Sequence, residues 1–314
     1  MIEKVYIICH GQSGHNRGHQ KLKEARYELD RLHIPYLVYP SEYATHTVDL
    51  IDMIIRKYFN EDHHRLLVIG GDGTLNAAVS QLVKMGSEVP ITYLPAGTGS
   101  DFARAHLKDQ STASIIMNMV QNRHCQKIKI GNYQDQTLTN HGCFVNNFGT
   151  GFDAEVTYSV EKYQLKSHLG RFGLARFSYI VGVFFSFNRL KLFESEITVD
   201  GRVHHFNRCG LVAVMNHPFL GGGIQLNPGP KTSQSPQLAC IIYHDLSWRA
   251  LPLLVWQTLI THQQVHSSHY TRLTGETITV RSNQTLRSEM DGETLPERIV
   301  DINHQINRYP FYLE

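Results

Sequence analysis

Within the first 125 residues, short apolar runs alternate with longer stretches of helical periodicity, and that alternation leaves few folds open. Val5 to Cys9, Tyr36 to Tyr39, Arg65 to Ile69 and Pro90 to Leu94 read as strands. Between them, Gly18 to Leu32, Thr47 to Tyr58 and Leu75 to Lys84 space their apolar residues as helices do. A strand that returns to its sheet through a helix lies parallel to its predecessor, and helices then cover both faces. An α/β domain around a parallel sheet is expected.

From about Lys127 the pattern changes to short β-type runs separated by turn residues. These are Cys143 to Asn147, Glu196 to Val199, Cys209 to Met215, Leu238 to Tyr243, Thr277 to Arg281 and Ile299 to Ile302. Two helical segments interrupt them, around Phe172 to Phe187 and Trp248 to His262. At 314 residues the chain is long enough for two domains of roughly 150 residues each. The expected division is an α/β domain over residues 1–127, with 303–314 packing back onto it, and a mainly antiparallel β domain over 128–302. The apolar end, Tyr309 to Leu313, should dock rather than dangle.

Composition narrows the function classes. Thirty basic against 28 acidic residues give a net charge of +2, which argues against a protein built to grip nucleic acid. The five cysteines are widely spaced with no Cys-x-x-Cys, so neither a disulfide framework nor a zinc site is indicated. Met1 to Ile8 reads as a first strand rather than a signal peptide. The longest apolar stretch, Phe177 to Leu190, is interrupted by Ser186 and Asn188 and falls short of the ~20 residues of a spanning helix. A cytoplasmic protein is expected. The 19 histidines are scattered; His262, His266 and His269 would share a face, and a metal, only if their segment were helical. A solvated polar face is the plainer account of them.

The chemistry sits in the loops. Leu66 to Ile69 runs into Gly70-Gly71-Asp72-Gly73-Thr74-Leu75-Asn76, a strand, a glycine loop and the start of a helix. Glycines let backbone N–H groups approach an anion, and the helix points its unsatisfied N–H groups at the same spot. The loop lacks the Gly-Lys-[Ser/Thr] ending of a Walker A sequence and the spacing of the dinucleotide fingerprint. Alone it is equally a tight turn in which Asp72 caps the helix. Ile91 to Leu94 leads likewise into Pro95-Ala96-Gly97-Thr98-Gly99-Ser100-Asp101-Phe102-Ala103-Arg104, and His10-Gly11-Gln12-Ser13-Gly14 follows the first strand. Three such loops at the carboxyl ends of parallel strands converge where open α/β sheets bind ligands, so phosphate binding is the better reading.

These motifs, with Gly149-Thr150-Gly151-Phe152-Asp153-Ala154, Asn216, Gly221-Gly222-Gly223 and Asp291-Gly292-Glu293, resemble the bacterial diacylglycerol kinases and their sphingosine and ceramide kinase relatives. The resemblance covers nearly the whole chain. It implies an NAD kinase/diacylglycerol kinase-like α/β domain, a β-rich lipid domain at 128–302, and an active site in the cleft between them. It implies ATP on the glycine loops, contacted by Ser13, Gly14, Ser41, Gly70, Gly71, Asp72, Gly73, Thr74, Asn76 and Thr98. Glu293 matches the family's general base, Asp72 would orient the acceptor hydroxyl or hold Mg²⁺, and Asp101 would support the site. A carboxylate in reach of a lipid hydroxyl can take its proton during attack on the γ-phosphorus. Without the upstream loops, Asp291-Gly292-Glu293 would be an ordinary hairpin turn.

Departures from the family pattern are informative. His10-Gly11 stands where the first loop usually begins Asn-Pro, and Ser100 where the second usually has Asn. After Asn227-Pro228 the family often carries carboxylates for a structural Mg²⁺; here Ser233-Gln234-Ser235-Pro236-Gln237-Leu238 has none. That structural metal is expected to be absent, with catalytic Mg²⁺ still arriving with ATP. Phe172 to Phe185, with Lys166, Arg171, Arg176, Arg189 and Lys191, reads either as a lipid-facing segment or as a core helix with basic ends. The partners implied are a lipid substrate at the membrane surface and, peripherally, the inner face of that membrane. A homodimer is compatible with the sequence. The readings left open are lipid kinase, most simply of diacylglycerol; an NAD kinase, which shares the Gly-Gly-Asp-Gly-Thr loop; and a regulatory nucleotide binder without catalysis.

Overall fold

The computed structural model describes residues 2–107, 110–121, 125–165, 178–186, 189–228, 235–247 and 249–313. The chain forms two compact units, residues 1–128 with 308–314, and residues 129–307.

The first unit opens with β1 (Lys4–Cys9), α1 (Ser13–Arg31), β2 (Tyr36–Pro40) and α2 (Ala44–Lys57). It continues through β3 (His64–Gly70), α3 (Asp72–Lys84), β4 (Ile91–Pro95), α4 (Asp101–His106) and α5 (Thr112–Gln121). Its strands pair in parallel in the order β2-β1-β3-β4. The chain moves one way from β1 to β2 and back the other way to β3 and β4, so right-handed crossovers put α1 and α2 on opposite faces. Accordingly α1 packs with α5, and α2 packs with α3. Val5, Ile7, Ile8 and Leu66 to Ile69 are wholly buried, as strands covered on both sides must be. The apolar end docks as expected: Phe311 pairs alongside Ile91 and is fully buried. The sequence showed each strand here and a helix after the Pro95–Ser100 loop, which is α4, but not α5.

The second unit is built from antiparallel pairs. Its strands are β5 (Gln126–Asp135), β6 (Asn140–Phe144), β7 (Asn147–Gly151), β8 (Phe193–Val199), β9 (Arg202–Cys209) and β10 (Leu211–Met215). A two-stranded ribbon follows, β11 (Phe219–Leu220) and β12 (Ile224–Gln225). β13 (Leu238–Tyr243), β14 (Tyr270–Gly275), β15 (Thr277–Met290) and β16 (Glu293–Phe311) complete the set. Its helices are α6 (Phe152–Lys162), α7 (Ser178–Ser186) and α8 (Ala250–Trp256), the last continuing as a π-helical turn over Gln257–Thr261. The central order is β14-β13-β10-β7-β15-β16.

Strands β10 and β13 explain the core. Both are apolar at every position and buried at every position. Val212, Val214, Cys240 and Ile242 face one apolar cluster with Phe144, Phe148, Ile278 and Ile302. Leu211, Ala213, Met215, Ala239 and Ile241 face another, with Leu251 and Leu254 of α8. Alternate side chains of a strand point to opposite faces, so two strands buried on both faces need a layer on each.

Two expectations need correction. Cys143 to Asn147 is not one strand, because the chain bends at Val145-Asn146 between β6 and β7, and a buried carboxylate binds the bend. His262, His266 and His269 do not lie on one helix, since His262 adopts φ 54° and ends the π-turn. Among the described residues no group of three or more His, Cys, Asp or Glu could hold a metal ion. Of the segment read as lipid-facing, Ser178–Ser186 forms helix α7; residues 166–177, with Lys166, Arg171 and Arg176, lie outside the described residues, as do 229–234 of the stretch after Asn227-Pro228. Among the described residues no helix is long and apolar enough to cross a membrane.

Candidate active site

In the first unit, three loops leave the carboxyl ends of β1, β3 and β4 and pack on one another. The contact between the second and third is glycine on glycine. A Cβ on Gly97 would sit 2.8 Å from the Cα of Gly71, closer than real side chains approach backbone. A Cβ on Gly70 would fall 2.5 Å from Thr74 Oγ1, so the threonine folds back over the loop that precedes it. The first loop joins them through Gly14. Gly14, His15 and Asn16 have φ of 57°, 59° and 67°, a left-handed run, and regular helix follows it. A Cβ on Gly14 would meet the Ala96 carbonyl oxygen at 2.1 Å.

Asp72 ties two of these loops together. Its Oδ2 accepts the backbone N–H of Asp101 at 3.0 Å, and its Oδ1 that of Phe102 at 3.4 Å. Those N–H groups open α4, whose own N-cap, Ser100, makes no side-chain cap hydrogen bond. Asp72 is therefore a helix cap, as the plain reading of the loop proposed, but of the neighbouring helix rather than its own. The remaining sites fall as follows. Ser13 is buried, Thr98 is half-buried, and Gly73 lies in the first turn of α3. Asn76 is buried on α3, and its Oδ1 accepts the Ser80 hydroxyl at 3.2 Å. Asp101 is buried, with Arg104 at 3.9 Å. The buried Ser41 hydroxyl lies 2.6 Å from Thr47 Oγ1 and donates to the Tyr43 carbonyl at 3.1 Å, so it is engaged within its own loop.

The altered first loop has its own anchor. His10 Nδ1 lies 2.9 Å from the Ser41 carbonyl oxygen, which joins the loop after β1 to the one after β2. The His19 ring packs where a Cβ on Gly11 would stand, at 2.3 Å. Tyr93 underlies the glycine loop, donating its hydroxyl to the Gly70 carbonyl at 3.1 Å. Its burial, and then the nearby Asp72 charge, hold that phenol protonated well above the ordinary range.

In the second unit, Asp291-Gly292-Glu293 is the hairpin turn between β15 and β16, with φ of 50° and 83° at Asp291 and Gly292. It is more than a turn. The Asp291 carboxylate accepts the N–H groups of Val145 at 2.8 Å, Asn146 at 2.7 Å and Asn147 at 3.0 Å. That bond set fixes the turn and places Glu293, exposed, at the first position of β16.

Sequence reading missed a buried carboxyl pair behind this turn. Glu289 accepts hydrogen bonds from the Asn147 side chain and from Gly292 N–H, the latter at 2.8 Å. A Cβ on Gly149 would meet Asp153 Oδ2 at 2.2 Å and Glu289 Oε1 at 2.7 Å, so that glycine makes room for both carboxyl groups. Burial first, then the Asp153 charge, push the Glu289 carboxyl far above the usual range. Glu289 therefore keeps its proton and shares it with Asp153, because two charges cannot be desolvated side by side. The only signal in the sequence was a glutamate at an inward position near the end of β15.

The second unit also holds an apolar cavity of about 580 Å³, counting the space at its open mouth. Phe152, Val183, Leu211, Leu226, Leu254 and Leu259 are among its walls. They come from α6, α7, β10, the stretch after β12, α8 and the π-turn.

Comparison with known proteins agrees with this layout. Residues 4–133 match the family model described as diacylglycerol kinase catalytic domain, and residues 146–306 match the YegS C-terminal NAD kinase beta sandwich-like domain. The chain is 26% identical over 230 residues to "Putative lipid kinase YtlR" of Bacillus subtilis (strain 168), covering 71% of this chain and 72% of that protein. It is 26% identical over 204 residues to "Diacylglycerol kinase" of Staphylococcus aureus (strain bovine RF122 / ET3-1), covering 65% of this chain and 59% of that one. A solved diacylglycerol kinase structure from Bacillus anthracis str. Sterne superposes with a TM-score of 0.71 at 17% identity, over 99% of this chain and 97% of the other, which shows the shared fold. With one model spanning the loops that Asp72 joins and the other spanning the Asp291 turn, the chain belongs to the diacylglycerol kinase family of lipid kinases.

Proposed function

We propose that this protein transfers the γ-phosphoryl group of ATP to the hydroxyl of a membrane lipid, most simply diacylglycerol, giving phosphatidic acid. The observation that carries the lipid part is the cavity of the second unit. Its walls are aliphatic and aromatic, and among the described residues the lining side chains offer a nicotinamide or a sugar only the Tyr243 and Thr258 hydroxyls to hydrogen-bond. Those two already lie 2.7 Å from each other. An acyl chain suits such a space.

On this reading the three loops of the first unit receive the triphosphate. Backbone N–H groups of the Gly70-Gly71 and Gly97-Thr98 segments and the amino end of α3 supply the cradle. Asp72 and Asp101 are the carboxylates of the loop region, and Mg²⁺ bound by phosphates usually needs only one or two carboxylates from protein. The ion would neutralise charge on the phosphates during transfer. Asp72 keeps both loops in register through its two N–H partners. Glu293 takes the proton of the attacking hydroxyl, and the Asp291 bond set holds the turn that presents it. The Glu289–Asp153 pair stiffens the same turn through Gly292 N–H. The enzyme would work at the cytoplasmic face of the membrane.

The test is an acceptor panel with labelled ATP and Mg²⁺: diacylglycerols of graded chain length, sphingosine, ceramide, undecaprenol and NAD. A lipid should be phosphorylated, and Leu254→Trp, which fills the cavity, should raise KM for long-chain acceptors more than for short ones. Transfer to NAD with no lipid product would refute the proposal.

A further inference from the structure

Helix α8 has apolar residues on every side yet lies at the surface. Its inner face is accounted for, since Leu251, Leu254, Val255, Thr258 and Leu259 line the cavity. Its outer face is not. Leu253, Trp256 and Ile260, spaced three and four residues apart, are 59%, 56% and 56% exposed. Residues at that spacing share one face. Helices that are hydrophobic all round belong in a protein core or in lipid, and this one is not in the core.

The charge around it selects the partner. From Leu246 to Gly275 there is no Asp or Glu, although the chain holds 28 acidic residues in all. The same stretch carries Arg249, Arg272 and His262, His266 and His269. Arg208 adds a cation where the segment begins, its Nε donating to the Leu246 carbonyl at 2.7 Å. The carboxylate just before the segment, Asp245, has His244 Nδ1 at 2.7 Å. An apolar face with a tryptophan, flanked by arginines and cleared of carboxylates, matches the boundary of an anionic bilayer.

We infer that the outer face of α8 and its π-turn is the surface by which this protein seats on an anionic membrane, with the cavity directly beneath the seated helix. This deepens the lipid-kinase reading: the wall of the acceptor cavity would be the element in contact with the acceptor's own membrane. An acyl chain would then pass from bilayer to cavity around one helix instead of crossing water.

The tryptophans make the test direct, because the chain has two, Trp248 and Trp256. Trp248→Phe leaves Trp256 as the sole reporter. With vesicles of phosphatidylcholine and phosphatidylglycerol, its emission should shift to the blue and be quenched by brominated acyl chains. Vesicles of phosphatidylcholine alone should do so less. Leu253→Ser with Ile260→Ser should lower partition onto the anionic vesicles by roughly ten-fold or more. Far-UV circular dichroism checks that this pair folds, and the Trp256 measurement stands without it. Absence of quenching, or equal partition of the double variant, would overturn the inference. So would a dimer formed without lipid that Leu253→Ser with Ile260→Ser dissolves, since a second copy would then be the occupant. Binding is read without ATP, so it can fail while phosphoryl transfer stands, and the reverse.

Discussion

The Asp72 carboxylate accepts the Asp101 backbone N–H at 3.0 Å, so the residue that opens one helix of the first unit caps the next one. Removing it leaves the first N–H groups of α4 without that acceptor. Asp72→Ala should therefore lower stability by about 1 kcal/mol in denaturant unfolding and weaken nucleotide binding. Asp72→Asn, which keeps one acceptor oxygen, should fall between the two. An Asp72→Ala protein as stable as wild type would show that the cap carries no weight.

Ser100, where the resemblance to the diacylglycerol kinases leads one to expect Asn, adopts φ 51°, ψ 50°. Left-handed conformation is costly for most L-residues and least so for Gly, Asn and Asp. Ser100→Asn should raise stability by about 0.5 kcal/mol, measured as a shift in the denaturant midpoint at unchanged slope.

Gly97→Ala probes the packing of the loops. The added methyl has the Gly71 Cα at 2.8 Å, and because that atom is backbone it cannot swing aside, so the loops must part. Calorimetry should show ATP binding weakened by roughly ten-fold, as expected when phosphate-binding backbone is moved by about an ångström. Gly86→Ala is the control away from the loops: no atom lies within 4 Å of its Cβ, but its φ is +66°, so it should cost stability and leave ATP affinity alone.

Much of this was legible in the sequence, for identifiable reasons. The strands of the first unit are uninterrupted apolar runs, and each of the three candidate phosphate-binding loops begins where one of them stops. Helix α6 was not legible, because Asp153, Glu155, Thr157 and Ser159 are buried on it and hide the apolar stripe that marks a helix. Asp72 bonding to a helix 29 residues further on has no local signature. The cavity was invisible for the same reason, its walls coming from segments between Phe152 and Leu259 with no shared spacing. Asp291 was legible as a turn, but the three bonds by which its carboxylate builds that turn come from residues about 145 positions earlier and left no local trace.

Two buried groups give the second unit a pH signature of opposite signs. Burial lowers the His304 pKa to about 4, and its Nε2 has no hydrogen-bond partner among the described residues. The folded imidazole stays neutral while the unfolded one protonates near pH 6.5, so stability is complete above that value and is lost as pH falls toward 4. The loss should reach about 3 kcal/mol, and His304→Leu should abolish that slope. Glu289 acts the other way: its raised pKa gives a contribution present below about pH 4.3 and lost as pH rises. Chemical unfolding across pH should show Glu289→Gln flattening the alkaline-going decline. Unchanged slopes in both variants would contradict the assignment.

We propose phosphoryl transfer to a lipid hydroxyl with Glu293 as base. Single-turnover transfer from labelled ATP to diacylglycerol, wild type against Glu293→Gln, tests it most directly, with ATP affinity measured alongside. ATP affinity should be unchanged and transfer slowed by about 100-fold or more, the scale of general-base catalysis. Transfer at the wild-type rate in Glu293→Gln would contradict it.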